Sequence, residues 1–201
     1  MAFPTTGILD SCTRADESPA TGWTDNVDGS SYGGVRIVSN RLTPISGDSW
    51  DYFSASTYGP DCEVYWTDDV LANVTVYLRL SPIGSASVDG YGISRTATTV
   101  SIIRLDNDAD TVLAPAITQA SSAGDSVGLS AIGDTLTAYY KASGGSWTSI
   151  GTRTDSTYNQ AGRIAPYMTG SGASIYNIGG GNFGTSDAPE TLRVMSSPLR
   201  W

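Results

Sequence analysis

The stretch Ser126–Trp147, SVGLSAIGDTLTAYYKASGGSW, constrains the fold more than any other part of this chain. Val127, Leu129 and Ala131 alternate with small or polar residues, and Gly133-Asp134 then reverses the chain. Leu136, Ala138 and Tyr140 alternate with Thr135, Thr137, Tyr139 and Lys141, and Gly144-Gly145 reverses it again before Trp147 and Ile150. Period-two patterning marks strands with one buried and one wet face. A glycine at each reversal supplies the positive φ that tight hairpins need. The segment predicts three antiparallel strands.

The same alternation recurs along the chain and predicts strands over 7–13, 35–38, 41–46, 50–53, 62–67, 74–80, 91–95, 100–105, 111–114, 127–132, 135–141, 147–151, 162–169 and 173–183. Val74, Val76, Leu78 and Leu80 are expected on one face of their strand, with Thr75, Tyr77 and Arg79 on the other. No window carries a 3.6-residue apolar stripe longer than two turns. About thirteen short, regularly spaced strands predict an all-β, two-sheet antiparallel β-sandwich. With 201 residues, one large β domain accommodates the chain. We assign 1–185 to a single sandwich domain. The stretch 186–201 lacks alternation and carries Pro189 and Pro198, so it is expected to be a tail. Pro198, Leu199 and Trp201 are its candidate contacts with the body or a neighbouring subunit.

Charge narrows the partners. Eleven basic residues against twenty acidic ones leave a formal charge of −9, and Lys141 is the sole lysine. The arginines are scattered, so no basic stripe is available for phosphates or anionic membranes. The start, MAFPTTGILDS, lacks a charged n-region and a long apolar run, and no stretch approaches the ~20 apolar residues of a membrane span. The expectation is a protein that stays soluble or leaves the cell within a larger particle. Cys12 and Cys62 are either two buried thiols or a pair, if their strands are neighbours.

The opening ILDSCTRADESPATGWT resembles the first strand and loop of concanavalin A-like (laminin-G-like) jelly-roll domains, in which a D-x-F-x-R-A-D segment precedes a G-x-W. Asp10, Arg14, Ala15, Asp16, Gly22 and Trp23 match that pattern, while Cys12 stands where the family has Phe. YGISRTATTVSIIRL, TVLA and the SVGLSAIGDTLTAYY meander follow the family's strand order. DSTYNQAGRIAPYM is similar to its late D-x-x-Y-x-x-G-x-x-G element, with Ile164-Ala165 at a usual glycine, and SIYNIGGGNFG to its closing strand. The resemblance spans about 7–184 and implies a jelly roll. It also implies a use as a glycan-binding lectin, a polysaccharide-cleaving enzyme or an accessory module of bacteriophage virions.

The chain contains no histidine, which removes Ser-His-Asp and Cys-His catalysis and imidazole-dependent lyase chemistry. With two cysteines and no histidine, a four-ligand zinc site is not credible. Gly179-Gly180-Gly181 falls within a predicted strand and does not read as a phosphate loop. Asp61 and Glu63 project from one strand face about 7 Å apart. Hydrolases of the resembled fold carry E-x-D-x-x-E, and DCEVYWTD departs from it, so these acids read as solvated ones and no catalytic residue is assigned. Asp106, Asp108 and Asp110 have the i, i+2, i+4 spacing with which calcium loops begin, but Thr111 and Ile117 stand where such loops place Gly and Glu. An Asp/Asn-rich hairpin explains them equally, as it does Asp25, Asn26 and Asp28. No other cofactor is expected.

Aromatics near turns and on wet faces are the remaining route to function, because sugars stack on them. Trp50, Tyr52, Tyr58, Trp66 and Tyr139 are the candidate glycan contacts. Three functions follow, in this order. The first is a non-enzymatic structural or accessory protein of a phage-like virion, contacting other virion proteins or copies of itself. The second is a lectin module for surface glycans, and the third a polysaccharide hydrolase or lyase.

Overall fold

A computed structural model of the chain describes residues 2–184. Its strands in chain order are β1 (Ile8–Asp10), β2 (Trp23–Asp25), β3 (Val35–Val38), β4 (Arg41–Pro44), β5 (Ser49–Phe53), β6 (Cys62–Val70), β7 (Val74–Ser81) and β8 (Asp89–Arg95). Then follow β9 (Thr99–Asp106), β10 (Ala109–Val112), β11 (Ile117–Thr118), β12 (Ser126–Ile132), β13 (Thr135–Lys141), β14 (Thr148–Thr154), β15 (Arg163–Met168) and β16 (Ser174–Asn182). The described residues form no helix, so none is long and apolar enough to cross a membrane.

The strands build two eight-stranded sheets. One runs β14-β13-β12-β6-β16-β4-β3 with β1 also on β16; the other runs β10-β9-β8-β7-β15-β5-β2 with β11 also on β9. Every strand pairing among the described residues is antiparallel, including the β12–β13–β14 meander that the glycine turns predicted. Between the sheets lies the main core. Cys62, Val64, Trp66, Val127, Leu129 and Ile175 face Val74, Val76, Leu78, Tyr91, Ile93 and Ile164 across it. The fold is the two-sheet jelly-roll sandwich expected.

The readings of β7, β2 and β11 need correction. In β7 the register shifts between Leu78 and Ser81, with Arg79 at φ +56°. Leu80 is therefore carried out of the main core to the outer face, and Arg79 is buried rather than wet. Its guanidinium donates to the carbonyls of Pro60, Tyr158 and Gly133 at 2.5, 2.9 and 2.9 Å, which replaces the water it loses. Strands β2 and β11 escape prediction because three and two residues carry no readable period. Cys12 and Cys62 are both free thiols, wholly buried, and burial pushes each up to about 12.

Neither outer face is simply wet. On the first sheet the N-terminal segment lies across β6 and β12. Phe3 stacks on Tyr139 with ring centroids 3.8 Å apart and meets Tyr65 and Trp147 edge-on. Gly128 makes room for it, since a Cβ there would fall 2.5 Å from the Phe3 ring. On the second sheet Val27, Trp50, Tyr77, Leu80, Val88, Ile103, Leu105 and Ala165 form a second apolar cluster, overlaid by Tyr32 and Ile83.

Candidate aromatic–acidic pocket on the second sheet

The second cluster opens into a pocket of about 210 Å³ lined by Tyr32, Trp50, Tyr77, Leu105, Asp108, Asp110 and Tyr167. Five segments deliver these side chains. Trp50 comes from β5, Tyr167 from β15, Tyr77 from β7 and Leu105 from β9. Asp108 and Asp110 come from the β9–β10 hairpin, and Tyr32 from the loop after β2. Alternation places Tyr77, Ile103, Leu105, Ala165 and Tyr167 on the face opposite the main core. Between β9 and β7, β8 contributes Gly92. A Cβ there would lie 2.8 Å from the Tyr77 ring and 3.1 Å from Ile103, so only glycine lets Tyr77 lie flat on the sheet. The hairpin turns through Asn107 and Asp108, both with positive φ, a conformation that Asn and Asp tolerate.

The four rings stand at steep angles to one another. Trp50 is 5.4 Å from Tyr77, 5.8 Å from Tyr167 and 6.2 Å from Tyr32, with interplanar angles of 43°, 76° and 68°. Tyr32 meets Tyr167 edge-on at 6.0 Å. Trp50 is 3% exposed and forms the floor, whereas Tyr32 and Tyr167 are half-buried at the sides. Each tyrosine spends its hydroxyl proton on a carboxylate. Tyr77 donates to both Asp110 oxygens at 3.1 Å, Tyr32 to Asp28 at 3.1 Å and Tyr167 to Asp48 at 3.0 Å. The buried Trp50 indole N–H finds no acceptor among the described residues.

Electrostatically the pocket is acid-rich. Burial, then the charge and hydrogen-bonding contact of Asp28, then Asp110, raise Asp108 above the usual carboxylate range. Burial also raises Asp110, against the opposing pull of the Tyr77 hydroxyl. Burial followed by the neighbouring acids lifts Tyr32 and Tyr167 to about 12 and Tyr77 well above 10. Among the described residues, no arginine or lysine forms an ion pair with Asp28, Asp48, Asp108 or Asp110.

The residues expected to contact glycans therefore scatter. Trp50 reaches the pocket, as its covered floor rather than as a flat stacking platform. Trp66 is wholly buried between the sheets, its N–H on Asp68 at 2.9 Å, which excludes it from any surface. Tyr58 is buried in the main core. Tyr52 lies beside the second cluster with the Arg163 guanidinium 5.5 Å above its ring, and Tyr139 is covered by Phe3 on the other sheet. Asp106 does not join Asp108 and Asp110: its carboxylate accepts from Arg104 and from Tyr158 at 2.7 Å. The expected calcium trio is thus divided, and no group of three Asp, Glu, Cys or His side chains among the described residues is placed to hold a metal. Glu63 is not solvated. One of its oxygens accepts from the Thr5 and Thr6 N–H groups and the Thr6 hydroxyl at 2.6–2.7 Å, and Asp61 stays exposed beside it. Pro198, Leu199 and Trp201 lie outside the described residues.

Tyr32, Tyr77 and Tyr167 are the pocket residues that sequence reasoning missed. The signal available was Tyr77 on the non-core face of a central strand, where so large an apolar ring needs a cover.

No family model matches the sequence, and neither does any curated protein. Solved structures do match in shape. A carbohydrate-binding module, CBM66 from Bacillus subtilis, is similar over 81% of this chain and 94% of its own, at 18% identity and a TM-score of 0.54. A β-glucanase of Bacillus licheniformis covers 88% and 98%, at 15% identity and 0.56. The VIP36 exoplasmic/lumenal domain in its Ca2+/Man-bound form covers 86% and 87%, at 13% identity and 0.58. At these identities the likeness establishes the fold, a concanavalin A-like jelly roll, which lectins and glucanases share.

Proposed function

We propose that the protein is a non-catalytic carbohydrate-binding module whose site is the pocket between Tyr32, Trp50, Tyr77 and Tyr167. The observation that carries this reading is the convergence of four aromatic rings and two carboxylates, from five separate segments, on one concavity. Ring faces and edges suit the C–H surface of a sugar, and carboxylates accept its hydroxyl protons. At about 210 Å³ the pocket is smaller than the ~300–1,000 Å³ of usual ligand clefts, so it suits one terminal or side-branch residue. The shared fold with a carbohydrate-binding module and a mannose-bound lumenal domain supports the same class of ligand. The test is titration of the full chain with an oligosaccharide panel. Tyr32→Ala and Tyr167→Ala, both at half-buried positions, are expected to weaken binding about tenfold each, some 1.4 kcal/mol. Binding that both substitutions leave unchanged would place the site elsewhere.

The setting we propose for this binding is the one composition favours, an accessory protein of a phage-like particle that meets other virion proteins or its own copies. Co-sedimentation with particles tests that setting separately from sugar binding. Release of reducing ends from a β-glucan, abolished by Asp108→Asn, would replace binding by hydrolysis.

A further inference from the structure

The pocket has acceptors in excess and almost no donors. All three tyrosine hydroxyl protons are committed to Asp28, Asp48 and Asp110, and the Trp50 N–H is buried beneath the floor without a partner among the described residues. Hydrogen bonding from a tyrosine to a carboxylate also enriches the ring in electron density, which strengthens its attraction for a cation. Around the rim, Asp108 lies against Asp28 and is further repelled by Asp110, with no ion-pair partner among the described residues to relieve the crowding. A neutral sugar leaves that repulsion in place, and a uronate adds to it. A protonated amine removes it and donates up to three hydrogen bonds. A quaternary ammonium would satisfy the rings yet offer the carboxylates no proton.

We infer that the pocket selects a sugar bearing a free, protonated amino group, a 2-amino-2-deoxy residue, over neutral, N-acylated and acidic sugars. The ammonium sits between the rings and the Asp108 and Asp110 carboxylates. This rests on the carbohydrate reading and adds the charge of the ligand.

Calorimetric titration of the full chain at pH 6 separates the two. The probes are a glucosamine tetrasaccharide, its N-acetylated counterpart, a neutral glucan tetrasaccharide, a galacturonate tetrasaccharide and choline. The glucosamine oligomer is expected to bind at least about tenfold more tightly than its N-acetylated form, with no detectable binding of the uronate. The doubly substituted Asp108→Asn, Asp110→Asn chain is expected to lose that preference, binding the glucosamine oligomer and its N-acetylated counterpart alike. Equal or tighter binding of the N-acetylated or acidic oligomer overturns the inference, as does tighter binding of choline or a preference that survives the double substitution. Neutral and amino sugars binding alike overturns it while sparing the carbohydrate reading. Silence from every saccharide overturns both. The wild-type ranking decides the matter even where the double variant fails to fold.

Discussion

Asp51 sits directly opposite Asp25 in the β2–β5 pairing, 2% exposed, with one carboxylate oxygen buried and without a partner. Burial, then the Asp25 charge, push its pKa up to about 7 against the Val35 N–H, which lowers it. A carboxyl that holds its proton more tightly folded than unfolded costs no stability below its unfolded value near 3.8. It lowers stability progressively as pH rises from there through about 7. Asp51→Asn is therefore expected to be near neutral at pH 4 and stabilising by about 1–3 kcal/mol at pH 8, read from urea midpoints at the two pH values. A second residue-scale prediction concerns Gly92. Gly92→Val drives a side chain into Tyr77 and Ile103, so it should cost about 1–3 kcal/mol of stability and weaken sugar binding together, measured by denaturation and titration of one preparation. At this scale the site was only partly legible. Trp50, Asp108 and Asp110 were visible as candidates, but their convergence was not, because nothing in a linear pattern says which outer-face ring is covered. Trp66 shows the converse: an indole at the middle of a strand reads alike whether its face is core or wet.

Among the elements, the N-terminal segment is the one that binds by a small number of strong contacts. Glu63, wholly buried on β6, depends on the Thr5 and Thr6 donors, and Phe3 fills the slot above Gly128 and beside Tyr139. Removing residues 2–6 strips a buried carboxylate of its donors and exposes the slot. The expected loss is about 3–5 kcal/mol, and Glu63→Gln within the truncated chain should restore a measurable part of it. Destabilisation that Glu63→Gln leaves untouched would assign the effect to Phe3 alone. The long strands were legible because their alternation survives over seven or more residues, as in β12 and β13. The reversal of Leu80 was not, since a bulge at a positive-φ arginine leaves no mark on hydrophobic periodicity.

For the molecule as a whole, two sheets enclose a main core that seals both thiols, and the second apolar cluster on an outer face forms the pocket. A thiol reagent is expected to find no reactive cysteine in the native chain and two after denaturation; none after denaturation would mean that Cys12 and Cys62 are joined. The jelly-roll class was readable from the meander and the opening motif, whereas the use made of it was not, because this fold serves many functions and the site lies in side chains from five segments. The central claim, that the Trp50 pocket receives a sugar, is tested most directly by nitrogen-resolved NMR of the indole groups. Five tryptophans give five N–H signals. On titration with the saccharide panel, the Trp50 signal should move in step with binding while those of Trp23 and Trp66 stay in place. Measured binding with a stationary Trp50 signal would contradict the account.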